Sequence, residues 1–297
     1  MNPRWSLVVT LGLTAPLAAQ SADWTVKNPT SVRQTGSFRD SRITESSGVV
    51  PTSTAGGVFW TLNDSGNEPL IFAVDTAGVT RATFRIAGAT NLDWEALSLG
   101  PCGDRRCLYI GDTGDFQVAR RPTVTIYRVV EPTLPSPAGE TPLLDSLVIR
   151  YADGPRDVEA LVVTPTGDIA LINKGWREPV AVYWVPRESW TRGRVTARPI
   201  ETLPIEGRLL NGSLVTDAAL SPNGGQLAVR TYANLYVFQR GEHSRWLPDH
   251  PDRRCPIGGL EPQGEGVAWW DEHTLILTSE RGATSSAPIT LLECPRP

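Results

Sequence analysis

The sequence predicts an all-β chain folded as a β-propeller, with five blades and an N-terminal strand closing the ring. Three observations carry this. An acid, a short apolar strand, a Pro/Gly/Asp-rich turn and a second strand ending in polar residues recur five times. The first acids fall at 45, 95, 159, 217 and 265, a period that marks an array of supersecondary units. Two further β-rich runs fit into most intervals, and no long amphipathic helix interrupts them; four strands per unit is a propeller pattern.

The N-terminus reads as a secretory signal over residues 1–21. Arg4 supplies the positive region, Leu7–Ala15 the apolar core and Pro16–Ala22 a small-residue exit. The alternative is an N-terminal anchor, but the apolar part is shorter than the roughly 20 residues a membrane span needs. Residues 22–297 are then a single propeller domain with no transmembrane segment, secreted or periplasmic. Ser31–Phe38 is a weak strand without a hairpin partner of its own.

The first copy is Glu45–Val50 with Gly57–Asp64, followed by runs at Leu70–Asp75 and Val79–Ile86. The second is Glu95–Leu99 with Leu108–Asp112, followed by Thr123–Val130 and Leu144–Arg150. The Pro-rich run between Pro132 and Pro142 reads as an insertion loop; six blades result only if this interval hides more strands. The third copy is Asp157–Val163 with Ile169–Lys174, then Val180–Val185 and Ala197–Thr202. The fourth is Thr216–Leu220 with Leu227–Tyr232, then Asn234–Phe238 and a short strand near Ser244–Trp246. The fifth is Gly264–Trp269 with Leu275–Glu280, and only Pro288–Leu292 follows. Its missing fourth strand can come from residues 31–38, which also covers an open edge.

Export permits disulfides. The four cysteines allow three pairings. Cys102 and Cys107 flank a tight hairpin turn; if they bridge locally, Cys255 joins Cys294. A Cys-x4-Cys zinc site is the alternative, but no Cys-x2-Cys or His pair supports it. The formal net charge of −4 disfavours nucleic acid as a partner.

Hairpin geometry puts the start of each first strand and the end of each second strand at one end. Five blades therefore deliver two polar rings to one funnel. The inner ring is Glu45, Asp93, Glu95, Asp157, Glu159, Asp217 and Glu265, the candidate metal ligands. The outer ring is Asn63, Asp64, Asp112, Asp115, Lys174, Arg230, Tyr232 and Glu280, with Arg120 and Arg121 as additions. Converging carboxylates repel, so they take up protons or bind a cation. An all-oxygen donor set suits calcium first, and His243, His250 and His273 lie outside the rings. The plainer reading is that inner-ring acids accept amide hydrogen bonds from the next blade and fasten the ring, while outer-ring acids are turn residues. Trp60, Trp94 and Trp269 fall in or beside repeat strands, where packing explains them better than sugar stacking.

Two functions follow. One is a ligand-binding or surface-interaction module, with a small anionic ligand or an extracellular surface component held through the cation. The other is a calcium-dependent hydrolase of phosphoesters, with Glu95 or Glu159 as general base and Lys174 and Arg230 stabilising charge. A glycosidase using two of the carboxylates is a third option. No Gly-x-Ser-x-Gly or His-Glu-x-x-His motif is present.

The motifs Asn63–Gly66, Asn91–Glu95, Leu108–Asp115, Ile126–Pro132, Asp153–Leu161, Arg230–Tyr232 and Gln263–Ala268 resemble an uncharacterised family of secreted bacterial β-propeller proteins. That family usually carries Asn after Gly-Asp-x-Gly-Asp, where this chain has Phe116. The layout of Glu45, Glu95, Glu159, Asp217 and Glu265 is more distantly similar to the soluble calcium-activated nucleotidases. That resemblance implies a calcium at the tunnel mouth.

Overall fold

The computed structural model describes residues 31–115, 120–136, 138–176, 178–205, 212–240, 250–285 and 287–296. The expected signal segment, Phe116, His243 and the strand expected near Ser244–Trp246 lie outside them. The described chain is all-β with one short 3-10 turn, Arg187–Arg192. Among the described residues no helix is long and apolar enough to cross a membrane.

Strand β1 (Ser31–Ser37) precedes five units. Unit one is β2 (Ser46–Pro51), β3 (Val58–Asn63), β4 (Leu70–Asp75) and β5 (Thr80–Ala87). Unit two is β6 (Trp94–Cys102), β7 (Arg105–Asp112), β8 (Val124–Val130) and, after the short β9 (Gly139–Pro142), β10 (Asp145–Tyr151). Unit three is β11 (Val158–Val163), β12 (Ile169–Asn173), β13 (Ala181–Val185) and β14 (Arg194–Thr202). Unit four is β15 (Val215–Leu220), β16 (Gln226–Thr231), β17 (Asn234–Gln239) and β18 (Arg253–Pro256). Unit five is β19 (Gln263–Trp269), β20 (Thr274–Glu280) and β21 (Pro288–Glu293). Strand β1 pairs antiparallel with β21 and completes this last sheet.

Three details differ from the expected pattern. The fourth strand of unit four is Arg253–Pro256, pairing with β17. The Pro-rich insertion is not only a loop: its β9 adds a parallel fifth strand to unit one beside β5, and Leu134 is buried there. The outer strands β10 and β14 pair in parallel, joining units two and three into one eight-stranded sheet.

The first strands touch in cyclic order, β2 to β6, β6 to β11, β11 to β15, β15 to β19 and β19 to β2. Both faces of such a strand are covered, so β11 and β12 are buried throughout and apolar except for Glu159 and Asn173. The outer β10 alternates buried and exposed positions from Leu147 on, as a strand with one solvated face should. Among the described residues the apolar clusters lie between successive sheets. Trp60, Ile71, Trp94 and Leu108 fill the space between units one and two. Phe59, Phe72, Ile276 and Ile289 fill that between units one and five. Gly48 is required by this approach, since a Cβ there would lie 2.8 Å from the Leu97 amide nitrogen.

Cys102 pairs with Cys107 across the β6–β7 hairpin, and Cys255 with Cys294 between units four and five. The second link spans 39 residues and is worth about 4 kcal/mol in the chain-entropy account.

Every first strand carries a one-residue bulge against its second strand, near Ser47, Glu95, Glu159, Thr216 and Glu265. A bulge re-aims a side chain at the end of a ladder, and it defines which residues are equivalent. Glu95, Glu159 and Glu265 share the bulge position with Ser47 and Thr216. Glu45, Asp93 and Asp157 share the position two before it. The first acids of the five copies are therefore not one structural set.

Candidate functional site

At the end of the second strands, the equivalent residues are Asp64, Thr113, Lys174, Tyr232 and Glu280. Matching backbone bonds fix the first three: the Asp64 N–H donates to Glu45 O (2.9 Å), Thr113 to Asp93 O (3.1 Å) and Lys174 to Asp157 O (2.9 Å). The two rings therefore meet at one end of the units.

Two overlapping groups of carboxylates result. Asp64, Asp93 and Glu95 bring oxygens within 4.8 Å of one another, and so do Glu95, Asp157 and Glu159. Glu95 belongs to both. It is 6% exposed, and no hydrogen-bond donor among the described residues reaches its carboxylate. Burial, then Glu159 and Asp64, hold it well above the usual carboxylate range. Burial, then Asp64 and Asp157, push Asp93 up to about 7. Burial also raises Asp64.

The second group already contains a cation. Lys174 Nζ lies 2.6 Å from Glu159 Oε1 and 4.0 Å from Asp157 Oδ2. Burial opposes its charge, but Glu159, Glu95 and Asp157 together hold the ammonium above its ordinary value. Asp157 Oδ1 also accepts the Asp115 amide at 2.8 Å.

The segment after β7 seals this side. Arg121 binds Asp112 Oδ1 (2.8 Å) and Gly114 O (3.0 Å), and its amide donates to Asp115 Oδ1 (3.1 Å). Asp112 is buried, its Oδ2 has no hydrogen-bond partner among the described residues, and burial raises it. Gly114 lies against the first group: a Cβ there would be 2.5 Å from Asp93 Oδ2 and 2.6 Å from Glu95 Oε1. Sequence reading passed over Gly114, although its place between two acids in Gly-Asp-Thr-Gly-Asp was the available signal. Arg120 is exposed, with φ 44°.

Glu265 and Glu45 do have donors. Glu265 Oε1 accepts from Tyr232 OH (3.1 Å) and Gln263 Nε2 (3.2 Å), and burial pushes it up to about 7. Glu280 rises to about 8 through burial, Glu265, Asp64 and Glu45. Glu45 Oε2 accepts from Asn67 Nδ2 at 2.6 Å. Burial raises Tyr232 well above its ordinary value.

Three expected site residues have their polar atoms engaged within the fold. Asp217 follows the bulge rather than occupying it, is wholly buried, and accepts the Ala218 and Val267 amides at 2.8 Å each. Arg230 lies inside β16, opposite Asp217, not at the strand end. Its guanidinium binds Gly266 O (2.6 Å), Thr278 O (3.0 Å) and the buried Glu261 carboxylate. Glu261, 31 residues downstream, was not anticipated, because nothing local marks it as the partner. Asn63 accepts the Thr44 and Glu45 amides and donates to Arg42 O, clamping the entry to β2. Trp60, Trp94 and Trp269 are buried, each indole N–H bonded within the protein.

The first group fits calcium by its donors. Its oxygens lie within 4.8 Å of one another, close enough to share one hard divalent ion such as calcium.

No family model matches the chain, and no curated protein matches it. Among solved structures it is similar to the PQQ-bound form of an aldose sugar dehydrogenase from Streptomyces coelicolor, a β-propeller. That likeness has 11% identity and a TM-score of 0.54, covering 89% of this chain and 98% of the other. At that identity it shows the fold alone: an all-β, propeller-type chain.

Proposed function

We propose that this chain is an exported five-bladed propeller, closed by β1, that binds one divalent cation, calcium first, in a polar funnel. Asp64, Asp93 and Glu95 hold the ion. The observation that carries this is the Glu95 carboxylate, buried, without a donor among the described residues, and grouped with Asp64 and Asp93. A charge so placed is costly unless a proton or a cation neutralises it. The cyclic contacts of the first strands and the pairing of β1 with β21 support five closed blades. The two disulfides and the apolar N-terminal run support export. The motif resemblance to secreted bacterial propellers agrees with both.

The protein acts as a binding module. Lys174 and Arg121 are neutralised by Glu159 and Asp112 and Arg230 by Glu261. A small anionic ligand, or an acidic group on an extracellular surface, is therefore held through the ion rather than by free bases. A calcium-dependent phosphoesterase is the second reading. It is favoured by Glu280 and Glu265, which titrate near neutrality beside the funnel, where a general base works best.

Calorimetric titration of the mature chain with calcium tests the first reading. One saturable site, lost in Glu95→Gln, is expected. No binding by the folded wild-type protein overturns it.

A further inference from the structure

We infer that Lys174 is a built-in cation that fills the second of two overlapping carboxylate sites, so the funnel holds one divalent ion where its acids could hold two. This rests on the cation-binding reading above. The two groups, Asp64/Asp93/Glu95 and Glu95/Asp157/Glu159, each meet the same spacing, and Glu95 is common to both. A carboxylate shared in this way is the bridge of a two-ion centre. Only the second group has an ammonium in it, 2.6 Å from Glu159 Oε1 and 4.0 Å from Asp157 Oδ2.

The placement of that ammonium follows from the fold. Asp64, Thr113, Lys174, Tyr232 and Glu280 are equivalent by register, and Lys174 is the one basic residue of the five. Its backbone is fixed by bonds to both neighbouring strands, donating to Asp157 O and accepting from the Val215 amide. Its side chain is buried. An ammonium held there neutralises part of the second group. It also repels a second divalent ion, and it leaves the Glu95 oxygens for the first.

Replacing Lys174 with a neutral residue should open the second site. The test counts manganese ions by equilibrium dialysis and records the electron paramagnetic resonance spectrum of the bound metal, for the folded full mature chain. Wild type should take one Mn²⁺ with a mononuclear signal. Lys174→Met should take two, with the exchange-coupled signal of ions sharing a carboxylate. Lys174→Arg, which keeps the charge, should remain at one. Lys174→Met combined with Glu159→Gln should return to one. Should Lys174→Met not fold, Lys174→Gln, which keeps a donor to Glu159, carries the same expectation. One ion in wild type and in the neutral variants overturns this inference alone. Two ions in wild type also overturn it. No ion in any folded protein overturns the cation reading itself.

Discussion

Glu95 and Glu265 occupy the same bulge position in units two and five, yet their surroundings differ. Glu265 meets a tyrosine hydroxyl and a glutamine amide. Glu95 has no hydrogen-bond donor among the described residues and lies among Asp64, Asp93, Asp157 and Glu159, with Lys174 the nearby cation. The same contrast runs through the two sides of the funnel. On the unit-five side, Thr216 donates to Glu265 O at 2.9 Å, Asp217 accepts from Val267, and Arg230 joins Glu261. On the unit-two side, Arg121 pairs with Asp112, while Asp93 and Glu95 are left acid against acid. One backbone device, the bulge, thus carries an acid with donors in one unit and, in the cation-binding reading proposed above, a metal ligand in another. A buried acid tells little about function until its partners are counted.

The largest effect expected from this contrast is on stability, away from the site. Arg230→Met leaves Glu261 charged and buried and should cost about 3–5 kcal/mol in urea unfolding. Calcium affinity should stay within twofold. A loss of calcium binding in a folded Arg230→Met protein would place the arginine in the site and break the distinction between the two sides.

Glu95→Gln should weaken calcium binding by at least about 100-fold, the upper range seen even for residues one shell out from a metal. It should also raise the midpoint of thermal unfolding in calcium-free buffer, because it removes an acid crowded by other buried carboxylates. Glu265→Gln is the matched control, with calcium affinity changed less than about threefold.

Gly114→Ala should act between these extremes. Its Cβ would press on Asp93 Oδ2 and Glu95 Oε1, so calcium affinity should fall about 10-fold with little loss of fold. Titration calorimetry reads both quantities.

The smallest effect is the pH dependence. Asp93 and Glu265 titrate at about 7 and Glu280 at about 8 in the folded chain, above their ordinary values of 3.8 and 4.5. The folded state therefore holds protons that the unfolded state has released. Stability from these groups is full below pH 4 and is lost as pH rises toward 8. Calcium-free protein should melt at higher temperature at pH 5.5 than at pH 8. Saturating calcium should shrink or reverse that difference, because the ion replaces the protons. Equal melting at both pH values without calcium would contradict the buried-acid picture.

Most strands were legible in the sequence, since apolar runs of four to eight residues between Gly, Pro and Asp punctuation mark them directly. Leu70–Asp75 falls where it was expected to the residue. What was not legible was register. Glu45, Glu95, Glu159, Asp217 and Glu265 all read as an acid before a strand, but the bulges put them in three different positions. Arg230 and Lys174 both close an apolar run, yet one lies inside its strand and the other just beyond it. Convergence of Asp64 with Asp93 depends on two neighbouring units, which no local pattern encodes.

The most direct test of the central claim is a crystal structure of the mature chain grown in calcium. One ion bound by Asp64, Asp93 and Glu95 at about 2.3–2.6 Å, with Lys174 still on Glu159, is the predicted result. A protein saturated with calcium whose ion lies elsewhere, with Glu95 protonated or paired with a donor, would contradict it.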